Sequence, residues 1–198
     1  MIELDGERIV SLAEKPADPR SSLALVGVYV FDARLFPILD RLTPSARGEL
    51  EITEALDRLV REGARVGVEH IRGFWKDTGR PEDYLRANHE VLASRPPLYF
   101  DRPATPLPPG TLHGPVRVGA GTTIDPTARI VGPTVLGAEV AIGPDSVVGP
   151  FCSIGHGARI WGATIRESVV MDRARIEGPV ELADSILGRD ASVTAGPR

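Results

Sequence analysis

Leu112, Val118, Ile124, Ile130, Leu136, Ile142, Val148, Ile154 and Ile160 place an apolar residue at every sixth position without a break. Neither the 3.6-residue period of a helix nor the two-residue alternation of a strand produces that spacing. Two positions before these residues the chain favours small side chains: Thr122, Ala128, Thr134, Ser146, Cys152 and Ala158. Gly119, Gly137, Gly143, Gly149 and Gly155 come directly after five of them. Such a pattern predicts a parallel β-helix, in which each hexad supplies one short strand and one corner. Apolar residues stack inside, small residues fit the tight cross-section, and glycines relieve the corners. The phase slips after Ile160 and resumes with Val170, Ile176 and Leu182, then Leu187 and Val193.

The first half of the chain reads differently, so the 198 residues divide. Residues 1–94 are predicted to be mixed α/β, residues 95–110 a proline-rich connector, and residues 111–198 the β-helix. The connector holds six of the 18 prolines, which excludes a helix or a central strand there. Within residues 1–94, Arg8–Ala13 has strand character. The near-continuous apolar run Leu23–Phe31 predicts a strand buried on both faces. Asp32 is placed to cap a helix reaching about Leu42. Ile52, Leu56, Leu59 and Val60 fit helical spacing, and Gly63 ends that helix. Another strand is expected over about 65–71. A last helix should run from Pro81 to about Ala93, with Tyr84, Leu85, Asn88, Val91 and Leu92 inward.

Bulk properties exclude several classes. The net charge of −4 gives no electrostatic case for a nucleic-acid partner. No apolar run approaches the roughly 20 residues a membrane span needs, so no membrane partner is expected. The N-terminus lacks signal-peptide character. The single cysteine, Cys152, excludes an intramolecular disulfide, fits a reducing cytoplasm, and reads as a small buried hydrophobe. Of 23 basic residues, 21 are arginine; Lys15 and Lys76 are the only lysines. A lysine kept in such a chain suits a compact point charge for phosphate or sugar oxygens.

Four segments carry the chemistry: Glu14-Lys15-Pro16 after a strand, Leu25-Val26-Gly27-Val28-Tyr29, Ala46-Arg47-Gly48-Glu49-Leu50-Glu51-Ile52-Thr53 before a helix, and Trp75-Lys76-Asp77-Thr78-Gly79 before another. On an extended backbone Trp75 and Asp77 share one face, which sets a carboxylate beside an aromatic wall. In order and spacing the four resemble the C-terminal half of the sugar-1-phosphate nucleotidylyltransferases. The closest resemblance is to the long-form glucose-1-phosphate thymidylyltransferases. The hexad array is similar to the hexapeptide-repeat family, whose parallel β-helix is left-handed, against the usual right-handed crossover. The resemblance implies the second half of a Rossmann-like nucleotidyltransferase domain followed by that β-helix.

It also implies roles. Glu14 and Lys15 would contact the sugar and its phosphate, and main chain from Leu25 to Gly27 would line the sugar pocket. Arg47 would grip the sugar 1-phosphate. Asp77, beside Trp75, would hold a catalytic magnesium ion (Mg2+). The partners are then a sugar 1-phosphate, with glucose 1-phosphate expected, and a nucleoside triphosphate, with dTTP expected; a homo-oligomer is expected as well. Lysine, arginine and a metal-binding aspartate suit phosphoryl chemistry, which depends on alignment and charge neutralisation.

The chain also departs from that family. No Gly-Gly pair occurs, and Gly119-Ala120-Gly121 falls inside the hexad array. The family's glycine-rich phosphate loop and first metal aspartate therefore have no counterpart. The expectation is an N-terminally truncated member, inactive alone, with an apolar face left uncovered. Two other classes fit the array: a hexapeptide-repeat acyltransferase using His156 or His113 as base, and a non-catalytic oligomerisation platform.

Overall fold

A computed structural model describes residues 1–18, 21–94 and 106–196. Two compact units make up the chain, Met1–Gly73 and Phe74–Arg198. Much of the predicted connector, residues 95–105, lies outside the described residues.

The first unit opens with an antiparallel hairpin of β1 (Ile2–Asp5) and β2 (Arg8–Leu12), turning through Gly6 at φ +62°. The strand before Glu14 is the expected one; its partner β1 is an addition. Asp32 does cap, accepting from the Arg34 N–H at 3.0 Å. The helical segment after it is short: a 3-10 turn over Ala33–Leu35 and α1 (Phe36–Leu39), which stops before the expected Leu42. Helix α2 (Ile52–Arg61) matches its prediction and ends before Gly63, which has φ +82°. Leu56 packs with Ile2, Ile9 and Leu12, and Ala55 and Leu59 pack with Leu35 and Ile38.

Leu23–Phe31 departs from expectation. It forms no ladder among the described residues, apart from one Ile2 N–H to Leu23 carbonyl bond of 3.1 Å. Leu23, Leu25 and Tyr29 lean on the hairpin core, while Val28 is 77% and Val30 97% exposed. A run buried on both faces needs a neighbour on each side, and the described residues supply only one. Residues 65–71 behave alike, with Val66 and Val68 turned in and no ladder. The two segments flank an apolar cleft of about 500 Å³, so the uncovered face expected from the sequence is present.

The second unit contains α3 (Pro81–Ser94) and the β-helix. Leu112 pairs with Ile130, Ile130 with Val148, Val148 with Ile165 and Ile165 with Leu182, all parallel. Two further stacks, Val118 to Leu187 and Ile124 to Val193, complete the three faces. The phase slip has a simple origin. Ile165, fully buried, is the core residue that a strict six-residue count passes over. One residue is dropped on each side of it, and the strand Arg159–Arg166 runs straight through the shortened corner.

The small corner residues do more than fit. Thr122 donates to the Gly137 carbonyl at 2.8 Å and accepts from the Val140 N–H at 3.2 Å. Ser146 donates to the Ile160 carbonyl at 3.3 Å and accepts from the Gly162 N–H at 3.0 Å. Ser168 accepts from the Ser185 N–H at 3.1 Å. Short hydroxyl side chains thus stitch one coil to the next where the ladder turns a corner.

Helix α3 lies on this unit through Asn88, which donates to the Phe151 carbonyl at 3.1 Å and accepts from the Ser153 hydroxyl at 2.5 Å. His89 stacks on Phe151 with centroids 3.7 Å apart. Of the predicted inner stripe, Leu92 is buried but Tyr84 and Val91 face solvent.

Ile130→Ala should lower β-helix stability by about 2–5 kcal/mol in denaturant unfolding, since Ile130 is fully enclosed; an unchanged midpoint would contradict this packing. Burial pushes the Cys152 thiol up to about 11, from an ordinary value of 9.0. A thiol reagent at pH 8 should therefore label it only after unfolding. The raised value means the folded state holds the proton longer, so this contribution is intact below about pH 9 and lost as pH rises through about 11. Rapid labelling of the native protein would refute the burial.

Candidate functional site

The end of β2 is fixed from the side by α2. Asp57, buried on that helix, accepts from the Leu12 N–H at 3.2 Å and pairs with Arg61 at 2.7 Å. Two residues after Leu12 the chain reaches Glu14, whose carboxylate accepts from the Thr53 hydroxyl at 3.4 Å. Thr53 and Asp57 are four residues apart on one helical face, so α2 holds both the strand end and the acid beyond it. Thr53 closes one of the sequence motifs without a role there, and Asp57 lies outside them. Two polar residues in the inner stripe of an amphipathic helix are the available signal.

Lys15 comes next with φ +40°, a left-handed backbone that turns the chain out of the strand. Its side chain is exposed and makes no ion pair among the described residues.

Arg47 lies across from Glu14. Its guanidinium is 3.8 Å from Glu14, 3.1 Å from Glu49 and 3.2 Å from Glu51. Ser45 organises the loop, donating to Glu51 at 3.1 Å and accepting from the Arg47 N–H at 3.2 Å. Three carboxylates thus face the single guanidinium of Arg47, which leaves the cluster acidic. An anionic ligand reaching Arg47 would compete with these carboxylates or bring a counter-cation. Tyr29 belongs to the same neighbourhood: burial first, then the Glu14 charge, pushes its phenol above the ordinary value, so it keeps its proton. Leu25 is half-buried, and Gly27 takes φ +75° with open space where a Cβ would stand.

Trp75, Lys76 and Asp77 belong to the second unit. Trp75 is exposed, and Lys76 pairs with Asp83 in the first turn of α3 at 2.7 Å. That contact gives Lys76 a structural partner instead of the free charge its rarity suggests. Asp77 is exposed and makes no hydrogen bond or ion pair among the described residues. No group of three metal-ligating side chains is assembled among the described residues. One free carboxylate can still supply a single ligand to a magnesium ion, which commonly takes one or two carboxylates plus phosphate oxygens and water.

Residues 1–94 match the family described as nucleotidyl transferase. Over that stretch the chain is similar to that family. Over 193 residues the chain is 39% identical to a glucose-1-phosphate thymidylyltransferase of Streptomyces antibioticus, covering 97% of this chain and 53% of the relative. A second protein of that name, from Streptomyces griseus, is 38% identical over 98% of this chain and 53% of its own. A low-salt glycan biosynthesis nucleotidyltransferase of Haloferax volcanii is 35% identical over 96% of this chain and 52% of its own. The chain therefore spans about half the length of the curated relatives it matches. These matches run through both units, and the β-helix agrees with the fold that the sequence resemblance implied.

The acyltransferase expectation rests on His156 and His113. His156 is half exposed, 3.6 Å from the Glu139 carboxylate, with its backbone N–H bonded to Asp172 at 3.0 Å. No described helix is long and apolar enough to cross a membrane.

Asp57→Ala should cost about 1–3 kcal/mol, because it strands the buried Leu12 N–H. Hydrogen exchange at Leu12 should accelerate in the same variant. Unchanged exchange would show that another group satisfies that amide.

Proposed function

We propose that this chain carries the sugar-phosphate-binding side of a nucleotidyl transfer. In that reaction a sugar 1-phosphate, glucose 1-phosphate being the favoured case, attacks the α-phosphorus of a nucleoside triphosphate such as dTTP. A nucleotide-sugar forms and pyrophosphate leaves. The observation that carries this reading is Arg47 set against Glu14 just past the end of one strand, steadied by Thr53 and Asp57, with Lys15 the next residue in the chain. Lys15 and Arg47 would bind the phosphate, Glu14 would accept from sugar hydroxyls, and Leu25 to Gly27 would bound the ring.

Nucleotidyltransferases of this family typically use a divalent metal, and Mg2+ is the proposed ion. The excess of carboxylates around Arg47 supports a counter-cation, since one guanidinium does not offset them and a phosphate dianion. On the resemblance alone, Asp77 is the expected metal ligand, with Trp75 beside it in the chain. The ion would supply charge neutralisation at the phosphates. The protein's share is placement: a fixed phosphate oxygen in line with its target, in a site that needs no protein nucleophile. We place this activity in the cytoplasm and assign self-association to the β-helix, as its flat flanks suggest.

Calorimetric titration with glucose 1-phosphate and magnesium tests the reading. Saturable binding is expected, weakened about tenfold or more in Arg47→Ala and in Lys15→Ala. Glu49→Gln should tighten it by about twofold to fivefold, because it releases Arg47 from an exposed competitor. No binding, or binding indifferent to Arg47, would overturn the assignment.

A further inference from the structure

The β-helix carries a second arrangement of charge and aromatic surface that the proposed transfer does not use. In the parallel ladder between the strands Arg159–Arg166 and Arg175–Ala183, Arg159 is directly opposite Arg175, and Trp161 is opposite Glu177. All four side chains point outward on one face. Neighbouring strands lie about 4.8 Å apart, and residues two apart along a strand about 7 Å. Two arginine positions therefore stand side by side, with Trp161 and Glu177 one step along.

Like charges directly opposite each other in a ladder repel. Arg173 is paired with Asp190 at 2.7 Å and Arg189 with Asp172 at 3.4 Å. Arg159 and Arg175 have no ion pair or side-chain hydrogen bond among the described residues. What sets them apart is their adjacency in the ladder, on a chain of net charge −4. It fits an anion that carries its charge on two neighbouring groups.

The aromatic beside it is held in place. The five-membered ring of Trp161 lies over Gly143, where any Cβ would collide with the ring. Glycine at 143 thus lets the indole lie down against the coil below, while the residue stays 36% exposed. Arg159, Trp161, Gly162, Arg175, Glu177 and Gly178 line an open depression of about 430 Å³. Its floor is tight backbone, since a Cβ on Gly178 would strike the Gly162 carbonyl.

We propose that this depression binds a nucleoside diphosphate group, with the base on Trp161 and the two phosphates on Arg159 and Arg175. Guanidinium forks suit phosphate oxygens, and an exposed indole suits a base. Glu177, which also lines the depression, accepts from a ribose hydroxyl or a base N–H. A free nucleotide and a nucleotide-sugar both carry that group and share its chemistry. The site lies wholly within the β-helix and does not depend on the function proposed for residues 1–94.

The test uses the full chain carrying Trp75→Phe, which leaves Trp161 as the sole indole. Its fluorescence is titrated with dTDP, dTDP-glucose, thymidine and inorganic pyrophosphate. Saturable quenching by dTDP is expected, with thymidine and pyrophosphate each at least about tenfold weaker. Equal affinity for dTDP-glucose would assign the site to the shared diphosphate group, and tighter binding would assign it to nucleotide-sugars. The Arg159→Gln/Arg175→Gln variant should weaken dTDP binding by about tenfold or more with its thermal midpoint unchanged, both side chains being exposed. Arg159→Lys/Arg175→Lys, which keeps charge but loses the fork, should weaken it too. Absence of quenching, or quenching equal in both double variants and the parent, would overturn the proposal. So would sedimentation showing that the arginine pair governs self-association while dTDP has no effect, which would make this face a subunit contact.

Discussion

Backbone hydrogen bonding between successive coils is the constraint that shapes the second unit. Gly119 donates to Leu136 of the next coil, Gly137 to Ile154, and Gly155 to Val170, each at 2.7–2.9 Å. No single coil can satisfy its own peptide groups, so each is stable only against its neighbours. The apolar stacks keep the coils in register, and Thr122, Ser146 and Ser168 close the corners where the ladder would otherwise leave groups unpaired. The same parallel register places Arg159 against Arg175 and lays Trp161 on Gly143. A fold whose side chains repeat in columns concentrates like residues by geometry alone.

The first unit shows the opposite condition. Its hairpin is complete, but Leu23–Phe31 and residues 65–71 are extended without ladder partners among the described residues. Order there comes from α2, which fastens the end of β2 through Asp57 and Glu14 through Thr53. The candidate site is built on that fastening. It is positioned by a helix and a strand, and its least constrained member, Lys15, sits where the strand has already ended.

Each signal in the sequence is readable as far as its physical origin is local. The β-helix core is legible because a six-residue period leaves one side chain per strand pointing inward, and every predicted position from Val118 to Ile160 is buried. Ile165 escapes that period because the corner before it is a residue short, and a period cannot announce its own interruption. Helix α2 is readable from spacing and from Gly63. The run Leu23–Phe31 reads wrongly as buried on both faces, since apolar content states a preference for burial and not whether a neighbour is present. Glu14, Lys15 and Arg47 can be named from their motifs, and the fold sets Glu14 and Arg47 against each other. The ring of carboxylates around Arg47 is invisible in the sequence, because Glu49 and Glu51 reach it only through the turn organised by Ser45.

Whether the cluster at the end of β2 receives a sugar phosphate is tested most directly by a crystal structure of the chain soaked with glucose 1-phosphate and magnesium. The phosphate should lie within hydrogen-bond reach of Lys15 and Arg47, with Arg47 turned away from Glu49. A phosphate bound elsewhere, with Arg47 still held by its three carboxylates, would contradict that role.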